Sequence, residues 1–171
     1  MSDSSPVTPD GGDPLRLLQS FASTVSAEPD VDLLRGREDA AAWLHEAALL
    51  PGEAGLTNSE HAALLRLRES IRDVLAAHTA GRGDAAAAAR LTRALADGRI
   101  VVTVDSASAV QLASAARASY PNLVALVAIA VAEAAASGGW VRLKSCAVPH
   151  CGRPFYDDSG SAAARHCSRH A

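Results

Sequence analysis

The strongest constraint on this chain is an array of cysteines and a histidine close to its C-terminus. The array reads Cys146, four residues, Cys151, fifteen residues, Cys167, two residues and His170. Two close pairs of such ligands, separated by a loop, are typical of a tetrahedral zinc site in which each pair spans one edge of the tetrahedron. Zinc accepts mixed cysteine and histidine ligands without redox chemistry, so the array favours zinc over iron or calcium.

The identity of the fourth ligand is less constrained than that of the three cysteines. His170 completes the second pair at ideal spacing but lies one residue from the end of the sequence. His166, His150, a solvent group and a donor from a second chain are the alternatives. Four protein ligands leave no open position for an activated water, so we expect a structural site. The competing interpretation, three cysteines that are only small buried groups, suits isolated cysteines better than a cluster.

The rest of the chain is dominated by alanine, which supplies 38 of the 171 residues, whereas aromatic residues make up 4%. Alanine favours helices and packs poorly on a pleated sheet. We therefore predict a mainly α fold: a multihelical domain at residues 14–138 with a small β-hairpin or sheet, then a zinc-binding module at residues 139–171. Residues 1–13 are rich in Pro, Gly, Ser and Asp and are predicted to form a disordered tail.

Apolar periodicity and capping residues predict five helices. They are placed at about 14–27, 39–50, 58–78, 85–96 and 121–136. Thr57 and Glu60 match a capping box at the start of the third helix, and Gly81 ends it. One strand is predicted at 100–104, and it needs a partner, which we place either near Val110 or at residues 140–143.

The cysteine count and the first residues predict the compartment. An odd number of cysteines cannot all pair in disulfides within one chain. Met1 is followed by polar residues instead of the basic and apolar run of a secretory signal. We therefore expect a reducing, cytoplasmic location. The most apolar stretch, 123–136, contains Glu133 and is shorter than the roughly 20 residues that cross a bilayer, so we expect a buried helix and no membrane association.

The array and its loop resemble the CGNR zinc finger, a C-terminal module of bacterial proteins. The residues that carry the resemblance are Cys146, Cys151, Gly152, Phe155, Tyr156, Asp157, Ser159, Arg165, Cys167 and Ser168. The preceding part resembles the helical ABATE domain that accompanies this finger. Its collinear matches are residues 17–25, 32–34, 39, 43–44, 56–57 and 67–72. The resemblance implies a cytoplasmic transcriptional regulator whose zinc finger contacts DNA, and no enzymatic activity.

The chain departs from the CGNR pattern at its end. That finger continues to a fourth cysteine, in the Cys-Gly-Asn-Arg sequence, and to a basic tail. Here Cys167 is followed only by Ser168, Arg169, His170 and Ala171. His170 is our candidate for replacing the missing cysteine, whereas no residue replaces the basic tail.

Basic residues near the array are the candidate DNA contacts. From residue 140 onward five basic side chains stand against two acidic ones, a local balance of +3, although the whole chain carries −3. Phosphate contacts supply most non-specific affinity for DNA, so we expect a local contact. The predicted contacts are Arg142, Lys144, Arg153, Arg165 and Arg169. The alternative function is a zinc-stabilised ligand-binding or protein-interaction protein that does not bind DNA.

In the helical domain, Arg68 and Arg72 lie one turn apart, with Glu69 between them. Two such guanidinium groups could clamp an anionic small-molecule effector, and ordinary ion pairing is the alternative. We expect the helical domain to sense a ligand or to mediate homodimerisation. The sequence contains no Gly-x-Ser-x-Gly turn, phosphate-binding glycine loop or His-Glu-x-x-His pair, so we predict that the protein is not an enzyme.

Overall fold

The computed structural model describes residues 13–27, 30–50, 54–116 and 120–170. Within them the chain forms five α-helices and three two-stranded antiparallel sheets, which confirms the mainly α fold. The helices are α1 (Pro14–Ala22), α2 (Arg37–Glu46), α3 (Asn58–Ala80), α4 (Ala85–Leu95) and α5 (Tyr120–Ala136). The strands are β1 (Val25–Ser26), β2 (Val31–Asp32), β3 (Ile100–Val104), β4 (Val110–Ser114), β5 (Leu143–Ser145) and β6 (Pro154–Tyr156). All of the predicted tail except Asp13 lies outside the described residues.

The apolar helix α5 lies in the centre of the fold, as its sequence predicts. It contacts α1, α4 and β4. Its buried residues include Leu123, Val124 and Val127, which are fully inaccessible to solvent. A helix that is apolar on nearly all sides must be surrounded by other elements. None of the described helices is both long enough and apolar enough to cross a membrane.

The longest helix, α3, begins at the predicted residue, extends two residues beyond the predicted end at 78, and ends at the predicted cap, Gly81. The Thr57 side chain accepts a hydrogen bond from the Glu60 amide at 3.2 Å, and the Glu60 carboxylate accepts one from the Thr57 amide at 2.7 Å, which completes the capping box. Gly81 ends the helix with a φ of 67°, in the left-handed region that glycine adopts without strain. The helix contacts α1, α2, α4 and β5, so it packs against three other helices and against the strand that precedes Cys146.

Two helices end earlier than the sequence predicts. The predicted α1 extends to residue 27, but the helix ends at Ala22, and the following residues pair in the β1–β2 hairpin. The predicted α2 extends to residue 50, but the helix ends at Glu46. Its chain turns at Ala48, which has a φ of 55°, and the amides of Leu49 and Leu50 both donate to the Leu44 carbonyl. This turn buries both leucines in the core, and the free energy gained by this burial outweighs that of continuing the helix to residue 50.

The predicted strand β3 pairs with β4, the first of the two alternatives. The second alternative, residues 140–143, instead starts the C-terminal module. Trp140–Arg142 forms one turn of 3-10 helix, and β5 then pairs with β6 in an antiparallel hairpin. This hairpin carries the first two cysteines of the array.

Candidate metal centre

The β5–β6 hairpin places the first cysteine pair. Cys146 directly follows β5, and its amide donates to the Arg153 carbonyl at 2.9 Å. The Cys151 amide donates to the Val148 carbonyl at 3.1 Å, which closes a tight loop. Gly152 has a φ of 53°, so the chain reverses immediately after Cys151 and enters β6. The loop therefore presents both sulfur atoms on one side.

The second pair returns to this loop through backbone hydrogen bonds. The Ala147 amide donates to the Arg165 carbonyl at 2.8 Å, which holds the returning chain against the first loop. The His170 amide donates to the Cys167 carbonyl at 2.8 Å and closes the turn between these two residues. The fifteen-residue spacing thus brings the second pair back over the first.

The four predicted ligands converge on one point. The His170 Nδ1 atom lies 3.6 Å from the Sγ atom of Cys146 and 3.6 Å from that of Cys167. The Sγ atoms of Cys151 and Cys167 are 3.9 Å apart, and all four donor atoms lie within 4.8 Å of one another. None of the cysteines is in a disulfide. The group can hold a metal ion, and among the described residues the other candidate histidines, 150 and 166, are exposed outside it.

The thiol pKa values of the two loop cysteines are shifted in opposite directions by their surroundings. Burial alone raises the pKa of the Cys146 thiol, but the amides of Cys167 and Val148 donate to it, and the His170 side chain adds to their effect, so its pKa falls to about 6. Burial raises the pKa of the Cys151 thiol, and the neighbouring sulfur atoms add to this rise. Amide donors to a thiolate sulfur are typical of metal sites, where they orient the ligand and tune its basicity.

A buried ion pair supports the loop between the two cysteine pairs. The Lys144 ammonium lies 2.7 Å from the Asp157 carboxylate and also donates to the carbonyls of Ala162 and Ala164. Asp157 additionally accepts from the Ser159 and Ala164 amides. Lys144 is 4% exposed. The prediction that Lys144 contacts DNA is therefore wrong, because its charge is used inside the module.

The other four predicted DNA contacts differ in how accessible they are. Arg142 is half-buried and donates to the carbonyls of Asp157 and Ser159 at 3.0 and 2.8 Å, so it also supports the loop. Arg153, Arg165 and Arg169 are exposed. Arg153 and Arg169 line one cavity of about 400 Å³ next to the metal group, together with Ser26, His150 and His170, whereas Arg165 does not line it.

The module is attached to α3 by polar contacts that lie in the interior. The Thr79 hydroxyl lies 2.6 Å from the Ser145 carbonyl and accepts from the Ser145 amide at 3.0 Å. One residue earlier, the His78 Nδ1 atom lies 2.9 Å from the Leu143 carbonyl. The His78 ring also packs edge-on against Trp140, with centroids 5.2 Å apart. Burial lowers the pKa of His78. The strand that leads into Cys146 is thus bonded to the last turns of α3.

The predicted effector clamp is also occupied internally. Arg68 is 4% exposed and donates to both Asp32 carboxylate oxygens, at 2.6 and 3.1 Å, and to Glu69 at 2.9 Å. Arg72 donates to the Ala22 carbonyl at 2.8 Å. These bonds tie β2 and the end of α1 to α3. The alternative of ordinary ion pairing therefore describes the two arginines, and the prediction of an effector clamp is corrected.

Sequence reasoning missed the structural roles of Asp157, Thr79 and His78. In the sequence Asp157 counts only as one of the two acidic residues near the array and as part of the segment that resembles the zinc finger. Its buried partner, Lys144, is thirteen residues away, so no local pattern reveals the pair. Thr79 and His78 lie in the last turn of α3, and their partners are more than sixty residues further along the chain.

Comparison with known proteins bears on the helical part. No curated protein matches the chain. Residues 15–138 match the model of the ABATE family, described as "Putative stress-induced transcription regulator". The match ends before the cysteine module, so the relation of that module to the CGNR finger stays a prediction. Since the matched span covers well over half of the 171 residues, the chain belongs to the ABATE family.

Proposed function

We propose that the metal is zinc and that Cys146, Cys151, Cys167 and His170 bind it. In a regular tetrahedron with zinc–sulfur bonds of about 2.3 Å and a zinc–nitrogen bond of about 2.0 Å, two sulfurs lie about 3.75 Å apart and a sulfur and a nitrogen about 3.5 Å. The separations of 3.9 Å and 3.6 Å support this assignment. Three thiolates and one imidazole are also a donor set that selects zinc over calcium or magnesium.

The proposed role of this metal is structural. Four protein donors complete a tetrahedral shell and leave no position for an activated water. A module of about thirty residues buries too little apolar surface to fold by itself, so metal binding supplies part of its folding free energy. When bound, zinc would hold the thiolates and the imidazole together, and no chemical step is assigned to it. We propose a non-enzymatic protein in a reducing, cytoplasmic compartment.

The proposed function is transcriptional regulation in which the metal-held module contacts DNA through Arg153, Arg165 and Arg169. The observation that carries this proposal is the place of these exposed side chains. Arg153 follows the second metal ligand by two residues, Arg165 precedes the third by two, and Arg169 directly precedes the fourth. A bound metal fixes the backbone at all three arginines, and arginine is well suited to phosphate recognition. The description of the ABATE family supports the regulatory role.

The test is the binding of the zinc-loaded full chain to a fluorescently labelled duplex of random sequence, measured by anisotropy over a salt series. Three phosphate contacts predict that log K falls with log salt at a slope of about −2.7. Arg153→Ala and Arg169→Ala should each weaken binding and flatten this slope by about one. Arg93→Ala is the matched control, because Arg93 is exposed on α4, outside the module.

Two results would contradict DNA binding by the module. One is the absence of salt-sensitive binding by the zinc-loaded chain at low ionic strength. The other is an equal loss of affinity in the Arg93→Ala control, which would indicate a diffuse electrostatic attraction.

A specific observation favours a second candidate, a zinc-stabilised protein that binds another protein or a ligand. Lys144 and Arg142 are used internally, so the C-terminal module keeps only three exposed basic side chains, and the whole chain carries a net charge of −3.

A further inference from the structure

The β3–β4 hairpin has one covered side and one exposed side. Ala113 of β4 is 2% exposed, and β4 contacts α5. The other face of the hairpin carries aliphatic side chains in solvent, with Val102 64% and Val110 67% exposed. Within the described residues β3 and β4 pair only with each other, so each has an unpaired outer edge, and it is β4 that packs against α5.

Alternate residues of β3 direct their backbone groups away from β4. At one end of the ladder the Ala115 amide donates to the Arg99 carbonyl at 2.8 Å, and at the other end the Asp105 amide donates to the Ala109 carbonyl at 3.1 Å. In an antiparallel ladder the groups that face the partner strand alternate along each strand. Residues 99, 101, 103 and 105 therefore face β4, and the amides and carbonyls of Ile100, Val102 and Val104 face outward.

We propose that this outer edge of β3 pairs antiparallel with the same edge of a second copy of the chain, with Val102 opposite Val102 of the partner subunit. In this register each outward-facing residue meets an outward-facing residue, since Ile100 lies opposite Val104 of the partner subunit. These are the pairs that exchange both backbone hydrogen bonds. The two hairpins join into one four-stranded sheet around a two-fold axis, and the contact is closed, as in most homodimers.

Charge complementarity selects a second copy as the partner and fixes the register. Arg99 precedes β3, Asp105 follows it, and both are exposed. With the axis at Val102, Arg99 lies opposite Asp105 of the partner subunit, and the same pair recurs at the other end. Both are non-hydrogen-bonded pairs, whose Cα atoms approach to about 4.5 Å. The Asp105 carboxylate is already held by the amides of Ala107 and Ala109, at 2.8 and 2.9 Å.

The side chains along the edge also suit pairing with a copy. Aliphatic β-branched residues meet across the axis, and such cross-strand pairs stabilise a sheet. Strand β3 contains no lysine, proline or bulge, the devices by which monomeric proteins block edge-to-edge pairing. Neither the metal nor DNA enters this contact, so the inference does not depend on the proposed function.

The test is sedimentation velocity of the zinc-loaded full chain over a concentration series. The wild-type chain should form a concentration-dependent dimer. Val102→Lys places two ammonium groups directly opposite each other and should leave a monomer of unchanged helicity by circular dichroism. Val110→Lys is the matched control, since Val110 is equally exposed on the same face but lies on β4, so its dimer should equal that of the wild type.

A second variant keeps the test decisive if Val102→Lys fails to fold. Arg99→Glu places two carboxylates opposite each other at both ends of the pairing and should weaken the dimer about ten-fold, since like charges directly opposite destabilise a strand pair. The proposal is overturned by a wild-type chain that stays monomeric at every concentration, by a dimer that tolerates Val102→Lys, or by unchanged affinity in Arg99→Glu. It is also overturned if Val110→Lys disrupts the dimer as much as Val102→Lys, because the sheet faces would then form the contact.

Discussion

The Lys144 ammonium and the Asp157 carboxylate form a buried ion pair at 2.7 Å, directly beside the loops that carry the metal ligands. Lys144 lies in β5, two residues before Cys146, and Asp157 follows β6. The ammonium keeps the pKa of Asp157 well below its usual range. The pair joins the first loop to the chain that returns towards the second cysteine pair.

Removal of the Asp157 carboxylate should unfold the C-terminal module locally. Asp157→Ala leaves the Lys144 charge buried without its partner, which costs about 3–5 kcal/mol. Native-state hydrogen exchange of the β5 and β6 amides in the zinc-loaded chain measures this loss of protection. Asp158→Ala is the control, because Asp158 is the exposed neighbour and should change little. Equal protection in the two variants would show that the ion pair does not support the module.

The choice of His170 as the fourth ligand can be tested against its neighbour. Changes to groups outside the ligand shell typically cost 10- to 100-fold in metal affinity, so His170→Ala should weaken zinc binding at least about 100-fold. His166→Ala should leave the affinity unchanged, because His166 lies outside the group of four donors. Competition with a chromogenic chelator gives both values. A greater loss in His166→Ala would contradict the assignment.

The attachment of the module to α3 predicts an effect on stability. Thr79→Val leaves the buried Ser145 amide without its acceptor, which should lower the free energy of unfolding by about 1–3 kcal/mol. Thr92→Val is the matched control, since the Thr92 hydroxyl donates to the Ala88 carbonyl of its own helix, on the surface. Urea unfolding of the zinc-loaded chain compares them. If both variants are equally stable, the contact contributes nothing.

Local chemistry predicted the helices whose ends are set by their own residues. Thr57 and Gly81 mark the two ends of α3 because a capping box and a left-handed glycine act within a few residues. The end of α2 depends instead on the burial of Leu49 and Leu50, which is a tertiary effect. For this reason periodicity extended that helix too far.

In the candidate site, too, the sequence predicts what depends on local spacing and misses what depends on residues far apart in the chain. Spacing predicted that the three cysteines come together, because two close ligand pairs and a loop match the geometry of a tetrahedral ion, and it made His170 the first of several candidates for the fourth ligand, which the structure places with them. Lys144 was predicted to contact DNA because it lies among the basic residues near the array, and its buried partner thirteen residues away has no local signature. Arg68 likewise pairs with Asp32, thirty-six residues away in sequence.

The central claim is a zinc ion held by three cysteines and one histidine, and X-ray absorption at the zinc edge of the purified full chain tests it most directly. The account predicts one zinc per chain, with three sulfur neighbours at about 2.3 Å and one nitrogen neighbour at about 2.0 Å. A purified, folded chain that contains no zinc, or a zinc shell of nitrogen and oxygen atoms only, would contradict it.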